Sequence, residues 1–280
     1  MLYDLAMQKT ESYVEAQSTN GIFYRIYGKE NSGIPLVLIM GYGGCMFAWP
    51  LEFVARLAER HKVIIFDNRG TGRSALLEPG VELRMHHFAT DVKTLLESLN
   101  EQSANLFGYS MGGCVAIEFA KMFPDAAKKI VLQSTTAGGA FYTGADQDVK
   151  DRLANPRGSN FDEMLFDFYD LCMSQAALEK SKATLMDICE KARPYPTSPR
   201  VLQPQLKAFR NFDASSYVAN MQHEVLLLHG NTDRIVRVEN GRKLAEHIPN
   251  CRTKFIDNCG HAPHIEYEEI VLSSVHEFLN

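Results

Sequence analysis

Short apolar runs alternate with helical patterns along most of the 280-residue chain, and this alternation restricts its fold more than any other feature. The apolar runs are Leu36–Met40, Val63–Asp67, Ala104–Tyr109, Lys129–Gln133, Val225–His229 and Lys254–Asp257. The helical patterns are Leu51–Arg60, Phe88–Leu99, Met111–Phe123, Glu239–His247 and Glu266–Leu279. Runs that are apolar nearly throughout are typical of parallel strands covered by helices on both faces. The pattern predicts an α/β fold with a doubly wound, mostly parallel sheet.

Two further strand-like runs, Glu11–Gln17 and Ile22–Tyr27, precede the alternating region. Ser18-Thr19-Asn20-Gly21 lies between them, and Asn-Gly favours the tight turns of hairpins. With this hairpin, the sheet is predicted to have eight strands.

The alternation stops between Thr136 and Gln222, where no convincing buried strand is found. This stretch is rich in aromatic residues and methionine and reads as several short helices joined by proline-containing segments. A single α/β domain reaches about 250 residues, so the chain is slightly too long for a core alone. We therefore predict a core of residues 1–135 and 223–280 with a helical cap inserted at 136–222. Most aromatic side chains of the cap should pack its helices, and a minority should line the roof of a pocket.

The overall charge and the cysteine pattern exclude several classes of partner. With 29 Lys and Arg against 34 Asp and Glu, the net charge is -5, whereas a nucleic-acid partner requires a basic face. The N-terminus lacks the basic and apolar regions of a secretory signal, and no apolar run approaches the roughly 20 residues of a membrane span. The six cysteines form no C-x-x-C pair or zinc-finger spacing, which indicates reduced thiols. We expect a cytoplasmic protein that acts on a small molecule without a cofactor or metal, and its state as monomer or homodimer stays open.

The segment Gly108-Tyr109-Ser110-Met111-Gly112-Gly113 carries the strongest chemical signal. It is a G-x-S-x-G motif that follows an apolar run and precedes a helical pattern, which is the context of a nucleophile elbow. The glycines leave room for a sharp turn that exposes the hydroxyl of Ser110. A generic glycine turn is the alternative. A phosphate-binding loop would need the G-x-x-x-x-G-K-[ST] spacing, which is absent.

A serine nucleophile needs a base, and the base needs an orienting acid. His229-Gly230-Asn231-Thr232-Asp233 follows one predicted strand, and Asn258-Cys259-Gly260-His261 follows the next. Loops at the carboxyl ends of parallel strands share one edge of the sheet, so Asp233 and His261 are expected beside Ser110. Asp257 is an alternative orienting acid, although it lies at a strand end rather than in a facing loop.

These motifs, together with D-N-R-G-T-G-R-S at 67–74, resemble the α/β-hydrolase family, in its serine hydrolase and esterase branch with a helical cap. The resemblance covers nearly the whole chain outside the insertion. It implies Ser110 as nucleophile, His261 as general base and then acid, and Asp233 as orienting carboxylate. The oxyanion donors would be the backbone N–H groups of Met111 and Tyr42. Many relatives have His-Gly where this chain has Met40-Gly41, so Gly43 stays open as the second donor.

The remaining polar residues near these motifs are interpreted as structural. His229 belongs to a turn, His264 is a surface or helix-start histidine, and His86 and His87 begin a helix. Asp67, Arg69 and Arg73 are interpreted as turn and packing residues.

The complete set of three catalytic positions favours a carboxylic-ester hydrolase for a small to medium, largely apolar substrate, with thioesters and lactones as related substrates. Serine at the elbow argues against the haloalkane dehalogenases and epoxide hydrolases of the family, which use aspartate there. A cofactor-free perhydrolase or a carbon–carbon bond hydrolase would use the same machinery. A non-enzymatic ligand receptor on a hydrolase fold is the alternative from another class.

Overall fold

A computed structural model of the chain describes residues 10–15, 21–74 and 80–280, the first of these stretches by its backbone alone. The strands are β1 Thr10–Glu15, β2 Gly21–Tyr27, β3 Leu36–Ile39, β4 Val63–Phe66, β5 Ala104–Tyr109, β6 Ala127–Gln133, β7 Val225–Gly230 and β8 Cys251–Ile256. They form one sheet in the order β1-β2-β4-β3-β5-β6-β7-β8. Strand β2 is antiparallel to both neighbours, and β3 to β8 are parallel. The predicted doubly wound, mostly parallel α/β sheet is confirmed, with seven strands from β2 to β8 and β1 added at one edge.

The first two strands pair as the N-terminal hairpin pattern predicts. Thr10 lies opposite Ile26, and Glu15 lies opposite Gly21. The predicted turn falls mainly on residues 16–20, which lie outside the described residues, and Gly21 is the first residue of β2.

Helices cover both faces of the sheet. Successive side chains of a strand point to opposite faces, so an apolar strand places apolar groups on both faces, and both need cover. The helices of the core are α1 Leu51–Ala58, α2 Met85–Ser98, α3 Met111–Met122, α9 Val238–His247, α10 Pro263–Glu266 and α11 Glu268–Leu279. Leu106 of β5 packs in the same cluster as α2 and α3, whereas the next residue, Phe107, packs with α1 and α11. This two-sided burial is the physical reason why the strands read as apolar runs rather than as alternating patterns.

The predicted last helix, from about Glu266 to Leu279, is observed as α11 and begins two residues later, at Glu268. Tyr267 before it has φ -134° and ψ 48°, which is not helical, and a separate short helix, α10, ends at Glu266. Pro263 begins α10, where its missing N–H costs nothing. His86 and His87 do lie in the first turn of α2.

The stretch between β6 and β7 contains five α-helices and no strand of the sheet in the described structure. They are α4 Gln147–Ala154, α5 Phe161–Cys172, α6 Gln175–Lys180, α7 Lys182–Ala192 and α8 Pro199–Arg210. Tyr169, Leu185 and Ile188 form a separate apolar cluster with Ala262 and Ile265 of the core. The insertion therefore packs against the segment that follows β8.

Ion pairs at the surface join the first insertion helix to the loop after β7. Arg234 pairs with Asp148 at 2.8 Å, and Arg237 pairs with Asp146 at 2.9 Å. Both pairs are exposed, so each contributes at most about 1 kcal/mol. In the part of the chain that the structure describes, no helix combines the length and apolarity that crossing a membrane requires.

Candidate active site

Ser110 occupies a strained turn between β5 and α3. Its φ of 55° and ψ of -120° lie outside the regions that side-chain-bearing residues ordinarily adopt. The flanking glycines make the turn possible: a Cβ on Gly108 would lie 2.4 Å from the carbonyl oxygen of Gly112, and one on Gly112 would lie 2.0 Å from that of Ile39. The turn presents the Ser110 hydroxyl above the carboxyl edge of the sheet.

The structure brings His261 and Asp233 to this hydroxyl. The Nε2 atom of His261 lies 3.1 Å from the Oγ atom of Ser110, and its Nδ1 atom lies 2.7 Å from Oδ2 of Asp233. The rings of His261 and Tyr109 pack with their centroids 5.2 Å apart. Three side chains from segments that are far apart in the sequence thus form one continuous hydrogen-bonded chain.

The loop after β7 holds the Asp233 carboxylate in a fixed orientation. Its Oδ1 atom accepts hydrogen bonds from the backbone N–H groups of Ile235 at 2.9 Å and Val236 at 3.0 Å. Its Oδ2 atom faces His261 and lies 3.3 Å from Nε2 of His229. Burial acts to raise the pKa of Asp233, but the charges and hydrogen bonds of His261 and His229 outweigh burial and lower that pKa to about 2. The carboxylate is therefore ionised throughout the neutral range.

The loop that carries His261 is held from two sides. The backbone N–H of His261 donates to the carbonyl of Cys172, at the end of α5, at 2.6 Å. The N–H of Gly260 donates to Oε1 of Glu266 at 2.9 Å. Glu266 is only 6% exposed, and its Oε2 atom has no hydrogen-bond partner among the described residues. Burial raises the pKa of Glu266 to about 7, against the opposing hydrogen bonds from Gly260 and Ala262.

The buried Glu266 should make stability depend on pH. Its pKa is raised above that of an unfolded glutamate, so the folded state binds more protons, and stability falls as pH rises from about 4.5 to 7. Glu266→Gln keeps the acceptor for Gly260 and cannot ionise. Relative to the wild type, we expect this variant to gain about 2–3 kcal/mol of unfolding free energy between pH 5 and pH 8.

Urea denaturation of both proteins at several pH values measures this difference. Glu277→Gln is the matched control, because it makes the same chemical change at a residue that is exposed on α11. Parallel wild-type and Glu266→Gln profiles would contradict the expectation.

The structure separates the alternative orienting acid from the site. Asp257 is exposed and accepts a hydrogen bond from the side chain of Asn231 at 2.5 Å. It is Asp233, and not Asp257, that contacts the His261 ring.

The structure corrects the interpretation of His264 as a surface histidine. It lies in the short helix α10, as the helix-start alternative expects, but it is 1% exposed and packs against Trp49 and Tyr109. Its Nδ1 atom lies 2.7 Å from Nε2 of Gln133. Burial, with the nearby His261, lowers the pKa of His264 to about 3, so the ring stays neutral. The apolar neighbours explain the burial, and they come from segments that are remote in sequence.

The turn after β4 is structural, as interpreted from the sequence. The carboxylate of Asp67 accepts backbone N–H groups from Met46 at 2.7 Å and from Arg73 at 2.8 Å. Arg69 forms a two-point ion pair with Asp91 of α2. These contacts join the turn to the segment after β3 and to the helix beside it.

The loop after β3 passes directly beside Ser110. A Cβ on Gly41 would lie 3.1 Å from the Cβ of Ser110 and 3.6 Å from its Oγ. The N–H of Gly43 donates to Oε1 of Gln205 at 3.0 Å. Met111 is the first residue of α3, so its N–H has no acceptor within the helix.

Sequence reasoning missed two contacts of this site. His229 is not in a turn, as interpreted from the sequence, but in β7, where it is fully buried. Its Nε2 atom lies 2.7 Å from the carbonyl of Val236 and 3.3 Å from Oδ2 of Asp233. The spacing of four residues between His229 and Asp233 is a weak signal for this contact. Gln205 belongs to the insertion, and no local pattern marks it. Among the described residues, no group of three or more His, Cys, Asp or Glu side chains is arranged to hold a metal ion.

Comparisons with known proteins agree with this fold. A family model described as "alpha/beta hydrolase fold" matches residues 34–267. The chain is 26% identical over 263 residues to "Putative carbamate hydrolase RutD" of Pseudomonas savastanoi pv. phaseolicola, covering 92% of this chain and 99% of that protein. An alpha/beta hydrolase fold protein from Chitinophaga pinensis superposes with a TM-score of 0.83 at 22% identity, covering 98% of each chain. The esterase RhEst1 from Rhodococcus sp. ECU1013 superposes with a TM-score of 0.82 at 24% identity, covering 96% of this chain and 98% of that one.

The sheet and the loops at the carboxyl ends of its strands define an α/β protein with a serine at the sharp turn between a strand and a helix. The family match extends over most of the chain. The chain belongs to the alpha/beta hydrolase fold family.

Proposed function

We propose that this chain is a serine hydrolase that cleaves a carboxylic ester, or a related thioester or lactone, through an acyl-enzyme. The observation that carries the proposal is the hydrogen-bonded chain from the Ser110 hydroxyl through His261 to Asp233. Such a chain activates a serine at the strained turn where its hydroxyl is accessible. The proposed catalytic residues are Ser110, His261 and Asp233.

In the proposed first step, Oγ of Ser110 attacks the ester carbonyl while Nε2 of His261 takes the hydroxyl proton. The ionised Asp233 holds the imidazole and stabilises the imidazolium. The N–H groups of Met111 and Tyr42 would receive the negative oxygen of the tetrahedral intermediate. We prefer Tyr42 to Gly43 because the Gly43 N–H already donates to Gln205.

Collapse of the intermediate breaks the bond to the leaving alcohol, which takes the proton from His261. A water molecule then attacks the acyl-enzyme, and His261 takes a proton from that water. A second tetrahedral intermediate collapses, releases the carboxylic acid and returns the proton to Oγ of Ser110.

We further propose that residues 136–222 form the cap that shapes the substrate site. Helix α5 contacts the His261 loop through Cys172, and α8 contacts the loop after β3 through Gln205. The apolar and aromatic content of this insertion supports a small to medium, largely apolar substrate. A cytoplasmic location remains part of this proposal.

Carbamate hydrolysis is the second candidate function. It is favoured by relatives named "Putative carbamate hydrolase RutD", which are 23–26% identical to this chain and match along most of their length. A carbamate carbonyl would form the same tetrahedral intermediate at Ser110. The perhydrolase and carbon–carbon hydrolase alternatives would also use this machinery.

Labelling and substrate screening test the proposal together. A fluorophosphonate should add one phosphonyl group to Ser110, detected by peptide mass spectrometry, and an unlabelled serine in folded protein would favour the ligand-receptor alternative. The kcat/KM values for p-nitrophenyl esters, aryl carbamates and a dienoate are then compared with one another. A peracid assay measures the perhydrolase reaction beside them. Highest turnover on short or medium acyl esters is the expected result, and carbamate turnover above ester turnover would replace the ester assignment.

A further inference from the structure

The insertion holds both backbone polar groups of Gly43, in the loop beside Ser110. Oε1 of Gln205 accepts the Gly43 N–H at 3.0 Å, and Oγ1 of Thr197 donates to the Gly43 carbonyl at 2.7 Å. Gln205 is 0% exposed, and its Nε2 atom also donates to the carbonyl of Arg69 at 3.3 Å. One buried side chain thus joins the loop after β3 to the turn after β4.

The backbone of this loop adopts a tight turn beneath α8. The N–H of Gly44 donates to the carbonyl of Gly41 at 3.4 Å, and Gly43 has a φ of +68°, which favours glycine at the third position of such a turn. A Cβ on Gly43 would lie 2.8 Å from a methyl group of Leu202. Helix α8 of the insertion therefore packs directly against Gly43, although the turn belongs to the core.

Holding Gly43 constrains the amide that the proposed mechanism uses. Because peptide units are planar, only the two backbone torsions of Tyr42 separate the peptide held by Gln205 from the peptide that carries the Tyr42 N–H. A small rotation there would turn the N–H away from the oxygen beside Ser110. Misplacement of a catalytic group by about 1 Å can cost about 100-fold in rate.

We propose that Gln205 and Thr197 are positioning residues that orient the oxyanion loop, so that docking of the insertion completes the oxyanion hole. This inference rests on the proposed function, because it concerns the donor from Tyr42. It gives the insertion a part in the chemical step in addition to covering the substrate. A contact that served stability alone would leave the rate of the folded enzyme unchanged.

Three variants test the inference: Gln205→Leu, Thr197→Val and the control Gln203→Leu. Gln203 lies on the exposed face of α8, so the control makes the same chemical change without touching the loop. For Gln205→Leu and Thr197→Val, we expect kcat and the rate of fluorophosphonate labelling to fall about 10- to 100-fold, with KM changed less than about threefold. Gln203→Leu should behave as the wild type.

Hydrogen exchange gives a readout that needs no substrate. Backbone amides of residues 41–44 should exchange faster in Gln205→Leu than in the wild type, while those of β7 stay protected. Thr197→Val keeps the side-chain shape, so it carries the test if Gln205→Leu does not fold.

The outcomes separate this inference from the proposed function. Folded variants with wild-type kcat and labelling rates would overturn the positioning role and leave the hydrolase proposal intact. A wild-type protein that is labelled at Ser110 but hydrolyses no ester would overturn the ester assignment, and the labelling rates of the variants would still decide the positioning role. A folded wild-type protein that takes no label would overturn both.

Discussion

Ser110→Ala is expected to lower kcat for the preferred substrate about 10⁶-fold, because residues of a serine triad act as a unit. The variant removes only the Oγ atom that lies 3.1 Å from His261. Alanine keeps the Cβ that the strained turn already accommodates at φ 55°, so the fold should persist. Steady-state kinetics with circular dichroism on the same preparation measures both effects.

Ser134→Ala is the matched control for this change. Ser134 also has a positive φ, 50°, and lies at the end of the neighbouring strand. Its hydroxyl is buried and has no hydrogen-bond partner among the described residues. We expect its replacement to change kcat less than about threefold. Wild-type turnover by purified Ser110→Ala would end the proposal of a serine nucleophile.

The elements that local signals determine could be predicted from the sequence. Strand β5 matches its prediction at both ends, because a run that is apolar nearly throughout suits a strand buried on both faces. The elbow could be predicted for a different reason: Gly108 and Gly112 stand where a Cβ would meet backbone atoms. In both cases the physical requirement falls on residues that are adjacent in sequence.

Features that depend on long-range packing could not be predicted. Gln205 and Gly43 are 162 positions apart, and nothing in the helical pattern of α8 distinguishes a glutamine that binds another loop from one that faces solvent. His264 looks like a polar surface residue until Trp49 and Tyr109 enclose it.

The sequence alone also leaves the choice between Asp233 and Asp257 as the orienting acid open. Asp233 and Asp257 both follow parallel strands, so both reach the edge of the sheet that carries Ser110. Only the path of the loop after β7 decides between them. The backbone N–H groups of Ile235 and Val236 turn the Asp233 carboxylate towards His261, whereas Asp257 points to Asn231.

This difference makes Asp233→Asn informative, and we expect it to lower kcat about 10⁴-fold while the fold stays intact. The two backbone N–H groups that bind Oδ1 require an acceptor there, so the amide oxygen should take that position. The amide NH₂ would then occupy the place of Oδ2 and donate to Nδ1 of His261. The imidazole proton would be held on Nε2, and that atom could no longer accept the proton of Ser110.

Asp257→Asn makes the same chemical change at an exposed carboxylate and should leave kcat within about twofold of the wild type. The pair of variants therefore assigns the orienting acid by kinetics. NMR of ¹⁵N-labelled imidazole adds a direct reading, because the proton of neutral His261 should move from Nδ1 to Nε2 in Asp233→Asn alone. A 10⁴-fold loss in Asp257→Asn with a wild-type rate in Asp233→Asn would reverse the assignment. Wild-type rates in both variants would remove the orienting acid from the mechanism.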